Sequence, residues 1–423
     1  MSTILIAIFT SLLILLIMAI PVGVALGIAA MIGMVMSGMD LGMFIQRLFN
    51  TYDSFPLLAV PFFILAGDIM QQGTIANSLL HFCRSIIGHI RGGLSHVSVI
   101  TCLFYGALSG SAPATTAAVG GIMIPAMEKE GYPKSYAAAI NTAGGCLGVI
   151  IPPSVPLILY GSTVGCSISD LFLAGIIPGV IIGIVFILMG FYTCSRKNYG
   201  VKHKKQSYKE MLKALWNARY ALLVPIIVLG GIYGGITTPT EAGCVAVVYA
   251  MFVEVFITRS MTLAKFKNIL FCSLRTTGVI FFIIATANAL SIVLVYCNAH
   301  EMLCHLITSI STNPLVIILI LTVVFLILGT FVETAVTILV VAPMLMPLLN
   351  VIGMTQVQFG LFMLVILATG FLTPPVGLNL FVACGIANLP LATLAYRCLP
   401  YCLAMCLVGL AIALIPAITM FLI

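Results

Sequence analysis

The chain has 423 residues, of which 62% are hydrophobic and only 7% are charged. A soluble domain carries roughly 25% charged residues, so this composition excludes a soluble protein and predicts a polytopic protein embedded in a lipid bilayer. The formal charge of +7 does not indicate nucleic-acid binding, because eight of the eighteen lysines and arginines lie in one stretch, residues 196–219.

The amino-terminal part of the chain predicts two spans and an arm. Residues 4–37 read as one membrane span; they lack the basic region that opens a signal peptide, so we expect a retained first helix. An outer turn that holds Arg47 leads to a second span, residues 54–72. Residues 74–91 carry polar side chains on one helical face, which predicts an amphipathic arm in the membrane interface.

The next two segments are interrupted. Residues 97–127 are apolar but broken by the run ALSGSAPATT, so each half is too short to span, which predicts a re-entrant helical hairpin. Residues 134–165 form a span that is broken at Pro152 and Pro153, because proline lacks a backbone donor and ends helices. A span at 171–195 completes a first repeat, residues 1–195.

The basic stretch follows at mid-chain, and the positive-inside rule places it in the cytoplasm. With a linking span it forms a connecting region, residues 196–236. The second repeat then covers residues 237–423. Its predicted parts are spans at 239–257 and 276–297 with an inner loop holding Lys265, Lys267 and Arg275, a short polar-faced segment at 300–312, a hairpin at 315–349, a broken span at 356–386 and a last helix at 397–422.

The distribution of charge supports this topology. It places seventeen of the eighteen lysines and arginines on the cytoplasmic side and leaves only Arg47 outside. It also predicts a cytoplasmic amino terminus and a periplasmic carboxyl terminus.

The two halves of the chain share landmarks at a constant offset. The double prolines at 152–153 and 374–375 are 222 residues apart, and so are Ser111 and Glu333 at the hairpin tips. An odd number of predicted crossings separates the copies, so they have opposite orientations. Inverted repeats with interrupted helices are typical of secondary transporters. The predicted fold is therefore an all-α polytopic membrane protein with two inverted-topology repeats, each with a hairpin and a broken helix.

The interruptions predict binding sites. A helix that stops inside the membrane exposes carbonyl oxygens, which hard cations prefer, and helix amino ends, which attract anions. The first repeat offers Ser109, Gly110 and Ser111 at the tip and residues 148–153 at the break. The second repeat offers Gly329, Glu333 and Thr334 in the tip region and Gly370, Thr373 and Val376 at the break.

Several other residues are candidates for substrate binding or coupling. Glu333 is the only acidic residue that the sequence places deep in the membrane, and such acids usually have a function. Asn141, Thr142 and Asn379 could be ligands or ordinary helix-to-helix hydrogen bonds, and both alternatives stay open. Pro152 and Pro374 fix where the helices stop. The cysteines and histidines are scattered, which favours packing and interfacial roles over a metal site.

Other classes of function are disfavoured. The motifs HExxH, GxSxG and GxxxxGK[ST] do not occur, so hydrolase and ATPase interpretations are weak and the chain is not predicted to be an enzyme. Energy would come from an ion gradient or from another subunit. A channel is a less favoured alternative, because it needs a continuous polar pore rather than paired broken helices.

Five motifs in order resemble the large membrane subunit of TRAP (tripartite ATP-independent periplasmic) transporters, in the ion-transporter superfamily. The resemblance covers nearly the whole chain. The motifs are FPLLAVPFFILAGDIM (55–70), ALSGSAPATTAAVGGIMIPAM (107–127), GVIIPPSVPLILYG (148–161), GGITTPTEAGCVAVVYA (234–250) and ATGFLTPPVGLNLFVACG (368–385).

The resemblance implies an elevator-type transporter that is driven by sodium and needs no cofactor besides this coupling ion. The hairpins and broken helices would move against a scaffold, with 74–91 and 300–312 as arms. One sodium site is implied at Ser109, Ser111, Gly148, Ile151 and Pro153, and a second at Gly329, Gly370, Thr373 and Val376, several of them through backbone carbonyls.

The resemblance also implies partners and a location. The partners would be a small four-helix membrane subunit, which is not fused to this chain, and a periplasmic binding protein that delivers an organic acid. The location would be the bacterial cytoplasmic (inner) membrane. A stand-alone ion-coupled carboxylate transporter is the near alternative.

Overall fold

The computed structural model describes residues 2–201 and 206–423, and in these residues the regular structure is helical. Nine of the helical segments described there are long and apolar enough to cross a membrane. The prediction of an all-α polytopic membrane protein is therefore confirmed. Residues 202–205 of the basic stretch lie outside the described residues.

The predicted single span at 4–37 is wrong. The stretch forms two helices, α1 (Ser2–Ile17) and α2 (Val22–Met36), which begin and end on either side of a turn. They pack as an antiparallel pair, because a Cβ placed on Gly33 would lie 2.7 Å from the Cδ1 of Ile8. Pro21, which caps the start of α2, is the visible reason, since proline cannot continue a preceding helix.

Five helices carry the chain from the turn to the end of the first hairpin. An amphipathic helix, α3 (Gly42–Tyr52), precedes α4 (Ala59–Gln72), and α5 (Ile75–Ile87) covers most of the predicted arm. The first hairpin consists of α6 (Gly93–Ser109) and α7 (Ala112–Lys129), with Gly110 and Ser111 between them.

The first broken span has three helical pieces. These are α8 (Lys134–Gly145), α9 (Leu147–Ile150) and α10 (Val155–Val164), and residues 151–154 separate the last two. A 30-residue helix, α11 (Ile168–Lys197), follows. It begins earlier than the predicted span at 171–195, because Ser167 caps it by accepting a hydrogen bond from the Asp170 backbone.

The linking region is more helical than the sequence indicated. Helix α12 (Tyr208–Tyr233) includes part of the predicted basic loop, and α13 (Pro239–Phe252) continues into a π-helical turn, Val253–Ile257. Helix α14 (Leu263–Tyr296) is 34 residues long, so Lys265, Lys267 and Arg275 lie on a helix and not in the predicted loop.

The remaining helices follow an order similar to that of α5 to α10. Helix α15 (Ala299–Ile310) corresponds to the short polar-faced segment. The second hairpin comprises α16 (Pro314–Phe331) and α17 (Thr334–Leu345), followed by a short α18 (Leu349–Ile352). The second broken span comprises α19 (Gln356–Gly370) and α20 (Leu378–Ala387), and the chain closes with α21 (Leu391–Leu414) and α22 (Ala417–Met420).

The helix boundaries repeat at an offset close to 222 residues. Helices α7 and α17 begin 222 residues apart, at Ala112 and Thr334, and so do α8 and α19, at Lys134 and Gln356. Two contacts give their relative direction. The Cys146 thiol lies 3.4 Å from the carbonyl of Ala368, its equivalent at the same offset, and the Tyr160 hydroxyl donates to the Gln356 carbonyl at 2.7 Å. Helix α19 therefore runs antiparallel to the chain from α9 to α10.

The broken helices form the core of the molecule. The residues of α8 from Tyr136 onwards, all of α9, and α19 from Gln358 onwards are buried. Helices α1, α12 and α16 expose large apolar side chains at the periphery, such as Ile17, Trp216 and Phe331. Water is a poor solvent for such a surface, whereas the hydrocarbon of a bilayer suits it.

Candidate functional site

The first hairpin tip is a compact cluster of hydroxyl and carbonyl oxygens. Gly110 adopts a left-handed conformation with φ of 60°, which ends α6 and reverses the chain. The Thr115 hydroxyl donates to the Ser111 carbonyl at 2.8 Å and lies 2.9 Å from the Ser109 hydroxyl. Sequence reasoning missed Thr115, although it follows Ser111 by four residues and so lies on the same helical face.

The first break packs directly on this tip. A Cβ placed on Gly148 would lie 2.6 Å from the Ser111 carbonyl oxygen, and one on Gly110 would lie 2.9 Å from the Pro153 carbonyl oxygen. Glycine is required at both places because only it lets the two backbones approach this closely. The structure thus brings Ser109, Ser111, Gly148 and Pro153 together.

Ile151, the fifth residue of the first predicted site, begins the break. Its backbone is extended and it ends α9, while its side chain packs against Gly179 of α11. Neighbouring Ser154 is buried, and its hydroxyl donates to the Val149 carbonyl across the break. The aliphatic side chain of Ile151 has no ligand atom, so this residue could serve a ligand only through its main chain.

The second hairpin and the second break meet in the same manner. Gly329 and Gly370 are in backbone contact, and a Cβ on Gly329 would lie 2.6 Å from the Leu367 carbonyl oxygen. The Thr373 hydroxyl donates to the Gly370 carbonyl at 3.1 Å and lies 2.8 Å from the Thr330 hydroxyl. Thr330 was not predicted, because it lies on α16 before the polar tip that the sequence analysis singled out.

The two breaks differ in exposure. Residues 152–155 are buried, whereas Pro374, Pro375 and Val376 are exposed. Val376 is 39% exposed, so the structure brings Gly329, Gly370 and Thr373 together but leaves Val376 at the open end of the second cluster.

Both clusters have the donor chemistry of an alkali-cation site. Each combines threonine or serine hydroxyls with main-chain carbonyls, and oxygen donors of this kind suit hard cations. By contrast, the part of the chain that the structure describes holds no group of three or more His, Cys, Asp or Glu side chains that could bind a metal ion.

A cavity of about 250 Å³ lies beside the first cluster. It is lined by the amino-terminal turns of α7, α10, α17 and α20, through Ser111, Val155, Thr334 and Leu378. Unpaired N–H groups and the helix dipole make such turns attractive to anions. The arrangement can therefore receive the charged group of an anionic solute next to the oxygen-rich clusters.

Two acidic side chains also line this cavity, Asp68 of α4 and Glu333 of the second tip. Asp68 accepts a hydrogen bond from the Ser273 hydroxyl of α14. The sequence singled out Glu333 as the only acid deep in the membrane; the structure shows two further acids in candidate spans, since Asp68 is half-buried in α4 and Glu254, in the π-helical turn after α13, is fully buried. The hydropathy of the sequence did not distinguish Asp68 and Glu254, since each is a single charged residue in a mostly apolar segment. Glu333 itself is exposed to the cavity.

Several remaining candidates do not line the cavity. Asn141 accepts from the Ser98 hydroxyl at 2.7 Å, and Thr142 donates to the Ala138 carbonyl at 2.7 Å. The Asn379 amide donates to the Thr142 carbonyl at 3.3 Å and so ties the second broken helix to the first. All three are fully buried. Pro152 is buried in the first break, and the buried Thr334 hydroxyl has no hydrogen-bond partner among the described residues.

Comparison with known proteins agrees with this architecture. The family described as the DctM component of the tripartite ATP-independent periplasmic transporters matches residues 9–418. The isethionate TRAP transporter permease protein DctMQ of Oleidesulfovibrio alaskensis is 37% identical over 407 residues, which are 96% of this chain. The chain spans only 64% of that longer relative.

A second relative matches this chain over a similar share of both proteins. The C4-dicarboxylate TRAP transporter large permease protein DctM of Pseudomonas aeruginosa is 37% identical over 374 residues, 88% of this chain and 87% of that protein. Among solved structures, the YdaH transporter of Alcanivorax borkumensis superposes with a TM-score of 0.63 over 88% of each chain at 14% identity, a likeness of fold alone. The chain therefore belongs to the family of TRAP transporter large permease subunits, multi-pass membrane transport proteins that are not enzymes.

Proposed function

We propose that this subunit couples the import of a small organic acid to the inward movement of sodium. The observation that carries the proposal is the pairing of each hairpin with its broken helix through oxygen-rich contacts, beside a cavity bounded by four helix amino ends. The ligands proposed for the first sodium are Ser109, Ser111, Gly148, Ile151 and Pro153, now with Thr115. Those proposed for the second are Gly329, Gly370, Thr373 and Val376, now with Thr330.

The charges of the cavity give a reason for coupling. Its lining residues include Asp68 and Glu333 but no lysine or arginine. An organic anion would be repelled by these carboxylates until cations occupied the neighbouring clusters, because opposite charges a few ångströms apart interact strongly where water is scarce. Sodium binding would thus precede tight binding of the anion.

The solute proposed for this chain follows the kind of anion that its relatives carry. The two sequence relatives are named for isethionate and for C4-dicarboxylates, both small organic anions. The partners proposed are those that the word tripartite implies: a periplasmic binding protein that delivers the solute and a small membrane subunit, which we propose has four helices. The proposed location is the bacterial inner membrane.

An elevator movement is the mechanism that we propose for transport. The hairpins and broken helices form one packed unit, in which Asn379 bonds to the backbone of α8 and Cys146 contacts α19. Helices α13 and α14 both pack on α4, outside this unit. The unit of hairpins and broken helices would carry the solute across the membrane, while α4, α13 and α14 stay fixed. Helices α5 and α15 would be the connecting arms.

Reconstitution tests the proposal. A thermal-shift screen of the cognate binding protein first identifies the solute. Uptake of that solute into liposomes holding both membrane subunits should require an inward sodium gradient and should stop when potassium replaces sodium. Equal uptake in potassium would contradict sodium coupling. Uptake without the binding protein would favour the stand-alone carboxylate transporter, and non-saturating flux would favour a channel.

A further inference from the structure

A second cavity, of about 340 Å³, lies outside the site described above. We refer to it as the Arg47 cavity. Its volume falls within the range of roughly 300–1,000 Å³ that is typical of small-molecule sites. Its polar lining consists of one arginine with amide and hydroxyl side chains, among them Arg47, Asn50, Ser162, Thr163, Asn288 and Ser291.

The Arg47 cavity continues the line of the first cavity. On α10, Leu159 lines the first cavity and Ser162 lines the second; on α14, Ile280 lines the first and Ile284 the second. Each step is about one helical turn. The two cavities are thus stacked along the same pair of helices, with apolar side chains at the boundary between them.

The contacts around Arg47 hold its helix against α14. The Asn288 amide donates to the Thr51 hydroxyl at 3.2 Å, and that hydroxyl donates to the Arg47 carbonyl at 2.8 Å. The rings of Tyr52 and Phe281 stack with their centroids 5.8 Å apart. These contacts fix the position of α3 on α14, so the backbone of Arg47 is held beside the cavity, while its side chain is exposed.

The charge of this cavity is uncompensated within the described residues. Arg47 forms no ion pair there, and no acidic side chain belongs to the cavity lining. The acids that are nearest in sequence, Asp40 and Asp53, are exposed outside it. A guanidinium with amide and hydroxyl donors around it is the usual recognition chemistry for a carboxylate or a sulfonate.

The position of the cavity fits the side from which a solute would arrive. Helix α11 begins four residues after α10 ends and runs for 30 residues towards the basic stretch, a length of about 45 Å. Ser162 and Thr163 are therefore at the opposite end of the molecule from that stretch. If the basic stretch is cytoplasmic by the positive-inside rule, the Arg47 cavity faces outwards.

We propose that the Arg47 cavity is an outer loading site that holds a small organic carboxylate or sulfonate before it reaches the inner cavity. Arg47 binds the anionic group, and Asn50, Asn288 and the serine and threonine hydroxyls hold the rest of the solute. The assignment of this cavity to loading, rather than release, rests on the proposed import function. The binding chemistry does not, and the following experiment measures binding without transport.

A reporter cysteine measures the anion preference directly. Ser291→Cys is made in the full chain with exposed Cys272 changed to serine, and the protein is placed in phosphatidylcholine liposomes. Mass spectrometry measures the rates at which 2-sulfonatoethyl and 2-trimethylammonioethyl methanethiosulfonate modify this cysteine. The rate of each reagent is divided by its rate of reaction with free 2-mercaptoethanol, which corrects for the intrinsic reactivity of the reagent. We expect a normalised preference for the anionic reagent, which falls about twofold to tenfold in Arg47→Gln, because a unit charge within several ångströms shifts local ion concentrations by that order.

Arg275→Gln is the matched control. It removes the same charge from exposed α14 surface 16 residues from the reporter, about 24 Å away, and should leave the preference intact. Equal normalised rates for the two reagents, an unchanged preference in Arg47→Gln, or an equal loss in Arg275→Gln would each overturn the proposal.

The source of the anion is tested by protection. Millimolar succinate or isethionate should slow modification of Ser291→Cys in phosphatidylcholine liposomes, and Arg47→Gln should abolish this protection. Protection that appears only when phosphatidylglycerol is added to the liposomes would identify a lipid-headgroup site and reject a loading site for soluble organic anions. Absence of protection by either solute would reject that loading site as well. A failure of sodium-coupled uptake would leave each of these readings unchanged.

Discussion

At the scale of single residues, two glycine contacts define the candidate site. Gly148 lies against the Ser111 carbonyl, and Gly370 lies against Gly329. Each contact brings a broken helix against the backbone of its hairpin, and we propose that main-chain oxygens of both bind one ion. Hydroxyls from Thr115 and Thr330 complete the clusters. The geometry of the clusters depends on the absence of a side chain at these glycines as much as on the hydroxyl side chains that are present.

Substituting Gly148 tests this dependence. In Gly148→Ala the new methyl group would overlap the Ser111 carbonyl at 2.6 Å, so the tip must move away and the first cluster must open. We expect sodium-dependent uptake to fall by tenfold or more, since oxygen ligands held about 1 Å too far apart no longer suit the ion.

Gly121→Ala is the control for this experiment. Gly121 lies on α7 of the same hairpin, and a Cβ placed there meets nothing within 4 Å. Uptake by this variant should equal that of the parent, with both proteins present in the membrane at equal amounts. Normal sodium-dependent uptake in Gly148→Ala would remove the first cluster from the mechanism.

Cys166 gives a prediction about pH. It lies on the turn between α10 and α11, where burial raises the pKa of the thiol to about 11. The thiolate is the reactive form, so at pH 8 only about a thousandth of this residue is reactive, and the rate should rise about tenfold per pH unit up to that pKa. Modification by N-ethylmaleimide followed by mass spectrometry measures this rate. Labelling of Cys166 at pH 8 as fast as that of exposed Cys272 would contradict the expectation.

At the scale of elements, a buried carboxylate joins the first arm to the scaffold. Glu254 of the π-helical turn after α13 is fully buried. It accepts hydrogen bonds from the backbone N–H groups of Thr74 and Ile75 at 2.8 and 3.1 Å, and from the hydroxyls of Thr258 and Ser260. It therefore satisfies the free donors at the start of α5, where a negative charge is also favoured by the helix dipole.

Removing this carboxylate should loosen the arm. Glu254→Ala would leave the N–H groups of exposed Thr74 and buried Ile75 without this partner. We expect a loss of about 1–3 kcal/mol in stability, the cost of one buried unsatisfied donor at Ile75. Thermal unfolding of the purified protein, with protease sensitivity near residue 73, measures the effect. Glu254→Gln keeps an acceptor and should lose less. Equal melting temperatures for Glu254→Ala and the parent would refute the anchoring role.

At the scale of the whole molecule, the antiparallel pair α1 and α2 changes the expected placement of the amino terminus. With one span at 4–37, residue 4 and residue 37 were on opposite sides. In an antiparallel pair the two ends of the stretch lie together. The charge count could not reveal this, because the first charged residue is Asp40. We propose that the amino terminus is on the same side as Arg47, outside.

Cysteine accessibility in intact cells tests this placement. Thr3→Cys and Asp53→Cys should both react with a membrane-impermeant maleimide, while Lys209→Cys in the basic region should react only after the cells are lysed. All three positions are exposed. A Thr3→Cys protein that behaves like Lys209→Cys would restore the cytoplasmic placement of the amino terminus.

The sequence alone determined the protein class, most element positions and much of the candidate site. Low charge and long apolar segments leave few alternatives to a helical membrane protein, because lipid cannot satisfy free backbone groups. Proline and glycine mark the breaks within a few residues, since their effects on the main chain are local. Local rules also identified the tip residues Ser109 and Ser111, and the equal spacing of landmarks indicated two related halves.

Tertiary structure decided what such local rules cannot reach. Four findings depend on which elements pack together. They are the turn between α1 and α2, the contact of Gly148 with Ser111, the addition of Thr115 and Thr330 to the clusters, and the convergence of Asp68 and Glu333 on one cavity. Asp68 and Glu254 looked like single polar residues in apolar runs, and only their neighbours across the fold distinguish a cavity wall from a helix anchor. The physical reason is that hydrogen bonds and charges act over a few ångströms in space, whereas the residues that share them are separated by hundreds of positions along the chain.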